Sequence, residues 1–141
     1  MSILIKQLSL ETTAPREKVW KIWADVAHWD AWDSEIEYAR LDGPFMLGQT
    51  GELKPKGGPK AKTKIIAFSS GESYSDVTKM PLANIRFDHR VEDHGKTRIV
   101  THTISMSGPL GFLFAKLLGK NLAEGLQRSL PRLVALAEAH A

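Results

Sequence analysis

The chain has 141 residues, with 19 Lys and Arg against 16 Asp and Glu and a formal charge of +3. That length suits one domain with a real core, expected over residues 1–141. Cysteine is absent, which excludes disulfides, thiolate nucleophiles and thiolate metal sites.

No apolar run approaches the ~20 residues that a membrane span needs. The first ten residues alternate apolar and polar instead of presenting a charged region before an apolar one. The expected address is therefore cytoplasmic.

Residues Ile3 to Glu11 read as a first strand, with Leu4, Leu8 and Leu10 on one face and Ile3 and Ile5 on the other. Ala14-Pro15 then opens a helix, with proline at its first position and Glu17 in the first turn. A second short helical piece follows the interruption at Asp25 to Ala27. All four tryptophans (Trp20, Trp23, Trp29 and Trp32) fall in this window at i,i+3 spacing. Such a stripe reads as core, or, for Trp29 and Trp32, as facing the mouth of a cavity.

From Ile36 onward, six segments read as strands: Ile36–Leu41, Gln49–Lys54, Ala61–Phe68, Ser73–Lys79, Ala83–Asp93 and Lys96–Ser107. Clusters such as Asp42-Gly43-Pro44, Gly57-Gly58-Pro59 and Met80-Pro81 supply turns between them. Short connections between consecutive strands imply an antiparallel meander. The lysines at 54, 56, 60, 62 and 64 lack interleaved exposed aromatics or an entering helix. They read as a solvated hairpin edge, and no nucleic-acid partner is expected.

The last hairpin carries the candidate chemistry. A two-residue turn at His94-Gly95 would set Ile85 opposite Ile104, Phe87 opposite His102, His89 opposite Val100 and Val91 opposite Arg98. His89 and His102 then share the apolar face as diagonal neighbours, where each is either a core histidine or an acid/base group. Arg98 stands at the rim, to meet an anion or to snorkel to water. Tyr74, Asp76 and Thr78 share a face, inward or outward, with Tyr74 a candidate pocket hydroxyl. No inward carboxylate accompanies the histidines, so neither metal nor cofactor is expected.

Pro109 to His140 reads as one helix, roughly 45 Å long at ~1.5 Å per residue. Pro131 predicts a bend or break near Gln127–Leu130. Gly119 and Gly125 suggest room for a ligand or close sheet contact, with Gly119 marking a second irregularity.

In order and spacing, Ala14-Pro15 with Val19-Trp20, Asp25-Val26-x-x-Trp29-x-x-Trp32, Leu41-x-Gly43, Gly48-Gln49-Thr50-Gly51 and the helix ending Leu136-Ala137-Glu138 form a recognisable set. The chain resembles the START-like, Bet v 1-like (SRPBCC) superfamily, and within it the polyketide cyclase/dehydrase and lipid-transport-like group. The resemblance implies an α+β helix-grip fold: a curved seven-stranded antiparallel sheet on a long C-terminal helix, with two short helices after the first strand. It also implies a cavity for a hydrophobic small molecule of lipid, polyketide or aromatic type. It transfers no catalytic residue.

Beside that resemblance, strand register and helix face nominate Trp29, Trp32, Tyr74, Phe87, His89, Arg98, Val100, His102, Ile104, Phe114, Leu118 and Leu122 as ligand-binding. His89 and His102 are the catalytic candidates. The alternatives to a binding protein are a cyclase- or dehydratase-like enzyme and a non-enzymatic partner-binding module.

Overall fold

A computed structural model describes residues 2–139. The elements are β1 (Ile3–Thr12), α1 (Arg16–Ala24), a short 3₁₀ segment (Val26–Ala31), β2 (Ile36–Leu41), β3 (Thr50–Pro55), β4 (Ala61–Ser69), β5 (Ser73–Met80), β6 (Ala83–His94), β7 (Thr97–Ser107) and α2 (Gly111–Ala139). The seven strands form one antiparallel sheet in the order β1-β7-β6-β5-β4-β3-β2. This is a curled half-barrel gripping a long helix, the fold expected from the resemblance.

Irregularities in the ladder help to curl the sheet. Pairing shifts between Leu4 and Lys6 in β1, between Ile36 and Tyr38 in β2, and between Ile65 and Ala67 in β4. An extra residue at such a point bends the strand and increases its twist. The β1 irregularity also corrects the predicted faces of that strand. It resets the alternation, so that Ile5, Leu8 and Leu10 all pack on the core while Leu4 is 63% exposed.

The β6–β7 hairpin turns one residue later than predicted, at Gly95-Lys96, with His94 paired to Thr97. Gly95 carries the positive φ, 67°, that the tight turn requires. The partners therefore move by two residues: His89 faces His102, Phe87 faces Ile104 and Val91 faces Val100. A two-residue move keeps every side chain on its face, and the inner row Ile85, His89, Val91, Val100, His102, Ile104 and Met106 is buried.

Pro15 occupies the cap position before α1, one residue earlier than predicted. The Arg98 guanidinium donates to the carbonyls of Ala14 (2.8 Å) and Thr13 (2.9 Å), fastening this corner to β7. The Thr12 hydroxyl accepts from the Ala14 amide and donates to Glu138 at 2.7 Å, fastening the far end of α2 to the same corner.

The predicted helix breaks are absent, and α2 runs continuously from Gly111 to Ala139 through Gly119 and Pro131. Pro131 and Gln127 both face solvent, so water can serve the carbonyl that the proline cannot. The predicted start at Pro109 is two residues early, and the predicted end at His140 lies outside the described residues. Gly125 owes its place to the segment before β2, since a Cβ there would stand 2.7 Å from Glu35 Cγ.

The turn from β7 into α2 rests on Gly108. Its φ is +102°, and an added Cβ would meet Ala83 Cα at 2.8 Å and the Leu82 carbonyl oxygen at 2.9 Å. Strain at a left-handed residue plus overpacking against backbone gives an expected loss of about 2–4 kcal/mol for Gly108→Ala. Urea unfolding of the two proteins measures it; equal midpoints would contradict this account of the turn.

Candidate functional site

One end of the half-barrel is filled by aromatic rings around Trp23. Helical spacing puts Val19 and Trp23 on the inward face of α1, and both are fully buried. The Trp23 ring lies 5.8 Å from those of His89 and His102, and its Nε1–H donates to His102 Nε2 at 3.2 Å. The two imidazoles meet edge to face, centroids 4.6 Å apart, as directly paired cross-strand neighbours do.

Tyr74, paired with His89 across β5 and β6, stacks flat on its ring at 4.1 Å. His89 Nδ1 is 3.3 Å from the Tyr74 carbonyl. A carbonyl can only accept, so this nitrogen carries the proton. Phe45, Phe68 and Trp20 close the group from the β2–β3 loop, β4 and α1.

Both histidines are neutral near pH 7. Burial pushes His89 down to about 4 and His102 well below its usual range, and the neighbouring His89 adds to the effect on His102. His102 has a further constraint. Its Nε2 is the acceptor for Trp23, and protonation would set a donor against a donor.

The other nominated residues divide by position. Trp29 and Trp32 are buried, at 6% and 4% exposure, and so do not stand at a mouth. Trp29 stacks against Tyr74 and donates its Nε1–H to the Trp23 carbonyl at 2.9 Å, while Trp32 packs edge-on to His102. Val100 and Ile104 are core. Arg98 is committed to backbone carbonyls, which explains its place better than an anion or water would.

Phe87, Phe114, Leu118 and Leu122 are different: they pack on the core yet stay half-buried. The helix explains this. Gly125, Leu126, Ser129, Leu130, Leu133, Val134 and Ala137 are buried in its second half, whereas in its first half only Gly111 is. α2 lies mainly on β1 and β7, touching β6 and α1 lightly. Its first half is thus less closely packed, and an open surface crevice of about 380 Å³ runs between it and β1 from Leu4 to Gly119, lined by none of Phe87, Phe114, Leu118 and Leu122.

The sequence pattern leaves the face of β5 open, and the structure decides it. Tyr74, Asp76 and Thr78 all point inward and are buried. Thr78 is paired with Thr63 of β4, also buried, and Asp76 lies between Ile65 and Phe87. Among the described residues the hydroxyls of Thr63, Tyr74 and Thr78 have no hydrogen-bond partner. Burial, helped by the charge of Asp88, raises Asp76 from 3.8 to about 8. Sequence reasoning did not nominate Trp23 or Thr63, and it named Asp76 and Thr78 only as sharing the undecided face of Tyr74. Among the described residues no three His, Asp or Glu side chains gather to hold a metal ion.

Residues 7–138 match the family described as polyketide cyclase / dehydrase and lipid transport. The chain belongs to that family. A comparison with curated proteins gives no sequence match. Among solved structures, norcoclaurine synthase from Thalictrum flavum in complex with dopamine and hydroxybenzaldehyde superposes with a TM-score of 0.75 at 14% identity, covering 100% of this chain and 89% of that one. The di-domain ARO/CYC StfQ from the steffimycin biosynthetic pathway gives 0.77 at 10% identity, over 99% of this chain and 52% of that one. TTHA0849 from Thermus thermophilus gives 0.73 at 14% identity, over 100% and 99%. Identities this low establish the shared fold.

Two measurements test these electrostatics. In an NMR pH titration, the ring signals of His89 and His102 should stay in their neutral positions from pH 8 down to pH 5; a midpoint near 6.5 for either would contradict its burial. Asp76 should also make stability depend on pH. Unfolded, its carboxyl ionises near its ordinary value of 3.8, whereas folded it keeps its proton to about 8. Its contribution is therefore whole below pH 4 and is lost as pH rises towards 8. The melting temperature of the native protein should fall relative to that of Asp76→Asn between pH 4.5 and 8, and a constant difference would refute the shift.

Proposed function

We propose that the protein binds a hydrophobic small molecule of lipid, polyketide or aromatic type between the first half of α2 and the inner face of the sheet. The observation that carries this reading is the uneven packing of α2. Interiors pack to crystal-like density, and the second half of the helix does so. The first half leaves Phe114, Leu118 and Leu122, with Phe87 opposite, half-buried.

The open crevice along β1 adjoins the same half of the helix from its outer side. The rim supports the reading too. Leu82 is 62% exposed and Phe112 60%, and the Leu82 carbonyl accepts from the Leu110 amide, which ties the β5–β6 turn to the start of α2. Leu82 also holds φ at 59°, an uncommon conformation for leucine. Exposed apolar side chains on two linked elements suit a mouth through which an apolar molecule passes. Family membership agrees with a ligand-binding module.

Protein purified from the cells that make it should carry a small molecule detectable by native mass spectrometry and lost on denaturation. A panel of fatty acids, sterols, quinones and aromatic polyketides should include members that raise the melting temperature. Leu118→Trp, which fills the space, should melt within a few degrees of the native protein yet lose that ligand-induced rise. No carried molecule and no rise with any compound would end this reading.

A further inference from the structure

We infer that Asp76, Thr78 and Thr63 form a polar floor for the site, which receives the carbonyl or hydroxyl oxygen of an uncharged ligand. The inference rests on the binding reading above and names the ligand's chemistry. Three buried side chains from two adjacent strands converge on one patch: Thr63 and Thr78 directly paired, Asp76 one inward position along β5. Directly paired residues have Cβ atoms about 4.5–5.5 Å apart and diagonal ones about 7–8 Å, so a single oxygen-bearing group can reach more than one of them.

Among the described residues the hydroxyls of Thr63 and Thr78 have no hydrogen-bond partner, nor has that of the neighbouring Tyr74, and the Asp76 carboxyl is buried beside them. Buried polar groups left unpaired are rare and costly, and here two of them, Tyr74 and Thr78, flank Asp76 on β5 while the third, Thr63, is paired with Thr78. Isosteric valine would suit the two threonines if packing were all that mattered.

The surroundings choose the ligand class. Facing Asp76 are Ile65 and Thr63 from β4, Tyr74 and Thr78 along β5, and Ile85 and Phe87 from β6. The inward positions of the first half of α2 are Phe114, Leu118 and Leu122. No cation among these neighbours faces the carboxyl. The charge acting on it is that of Asp88, through the sheet, and burial keeps Asp76 protonated up to about 8. His89, on the far side of Tyr74, is neutral throughout that range. A protonated carboxyl beside two hydroxyls can donate to a carbonyl without any charge being buried. A carboxylate ligand would meet no positive partner, and an amine would require a buried ion pair to form, at a desolvation cost.

The test uses four probes on one apolar frame: 2-acetylnaphthalene, 2-ethylnaphthalene, 2-naphthylacetate and 2-naphthylmethylamine, with affinities measured by calorimetry at pH 6.5 and 9. The ketone should bind roughly three- to tenfold more tightly than the hydrocarbon at pH 6.5, the net worth of a hydrogen bond. That preference should shrink at pH 9 as Asp76 ionises. It should persist at both pH values in Asp76→Asn, whose amide still donates, and vanish in Asp76→Leu/Thr78→Val. Should the double variant fail to fold, the pH dependence in the native protein and Asp76→Asn decides. Hydrocarbon binding without ketone preference, or with the amine or the carboxylate binding best, overturns this inference alone. Failure of all four probes overturns this inference, and the binding reading falls with it when no carried molecule and no ligand-induced rise in melting temperature is found either.

Discussion

Two imidazoles buried opposite one another on neighbouring strands, neither in an ion pair among the described residues, set the terms for the rest of this structure. His89 and His102 can sit 4.6 Å apart in the core only while both are neutral. Trp23 helps to hold that condition. Its N–H occupies the nitrogen of His102 that would otherwise take a proton, and its ring covers both imidazoles. The same indole locates α1 on the sheet, and the Trp23 carbonyl receives the Trp29 N–H, which draws the 3₁₀ segment back across the barrel. Thus one hydrogen-bonded ring fixes the path of the chain from β1 to β2, and the aromatic side chains it gathers fill one end of the half-barrel.

Filling one end dictates how α2 behaves at the other. The side-chain ties made by the helix fall in its second half: Glu138 to Thr12, Arg128 to Glu35, and Arg132 to the Ala31 carbonyl. The first half is held by apolar contact and by the backbone bond from Leu110 to Leu82. A helix clamped along half its length opens locally at much lower free energy in the other half. The loosely held half is also the one beside the exposed leucine and phenylalanine rim. Stability and access are in this way assigned to different turns of one helix, which needs no break at Pro131 to separate them.

What could be read from the sequence follows the same division. Alternation along β6 and β7 placed both histidines inside even though the turn was set one residue early, because a two-residue change of partners preserves faces. It could not reveal the β1 irregularity, which moves Ile5 inward on the strength of three-dimensional curl alone. The role of Trp23 was equally hidden, since helical spacing marks an inward ring but not the acceptor it meets. The face of β5 was readable in principle. Arg86, Asp88 and Arg90 face outward on β6, and a two-residue turn at Pro81-Leu82 pairs them with Val77, Ser75 and Ser73. Tyr74, Asp76 and Thr78 must then point inward. Local polarity obscured this, because both faces of β5 carry hydroxyls.

That obscurity has a physical meaning. A strand whose inward side is as polar as its outward side contributes little to a hydrophobic core, and each unpaired buried hydroxyl opposes folding by about 1–3 kcal/mol. β5 nevertheless sits in the middle of the sheet, hydrogen-bonded on both sides by β4 and β6. The sheet therefore does not need Asp76 or Thr78 to hold the strand in place; the ladder does that, together with Tyr74 in the aromatic block. Freed from packing duty, Asp76 and Thr78, with Thr63 beside them, present hydrogen-bonding capacity that their protein neighbours, Ile65, Ile85 and Phe87, have no means of using. That capacity is what the proposed ligand, entering from the loosely packed side of α2, would use.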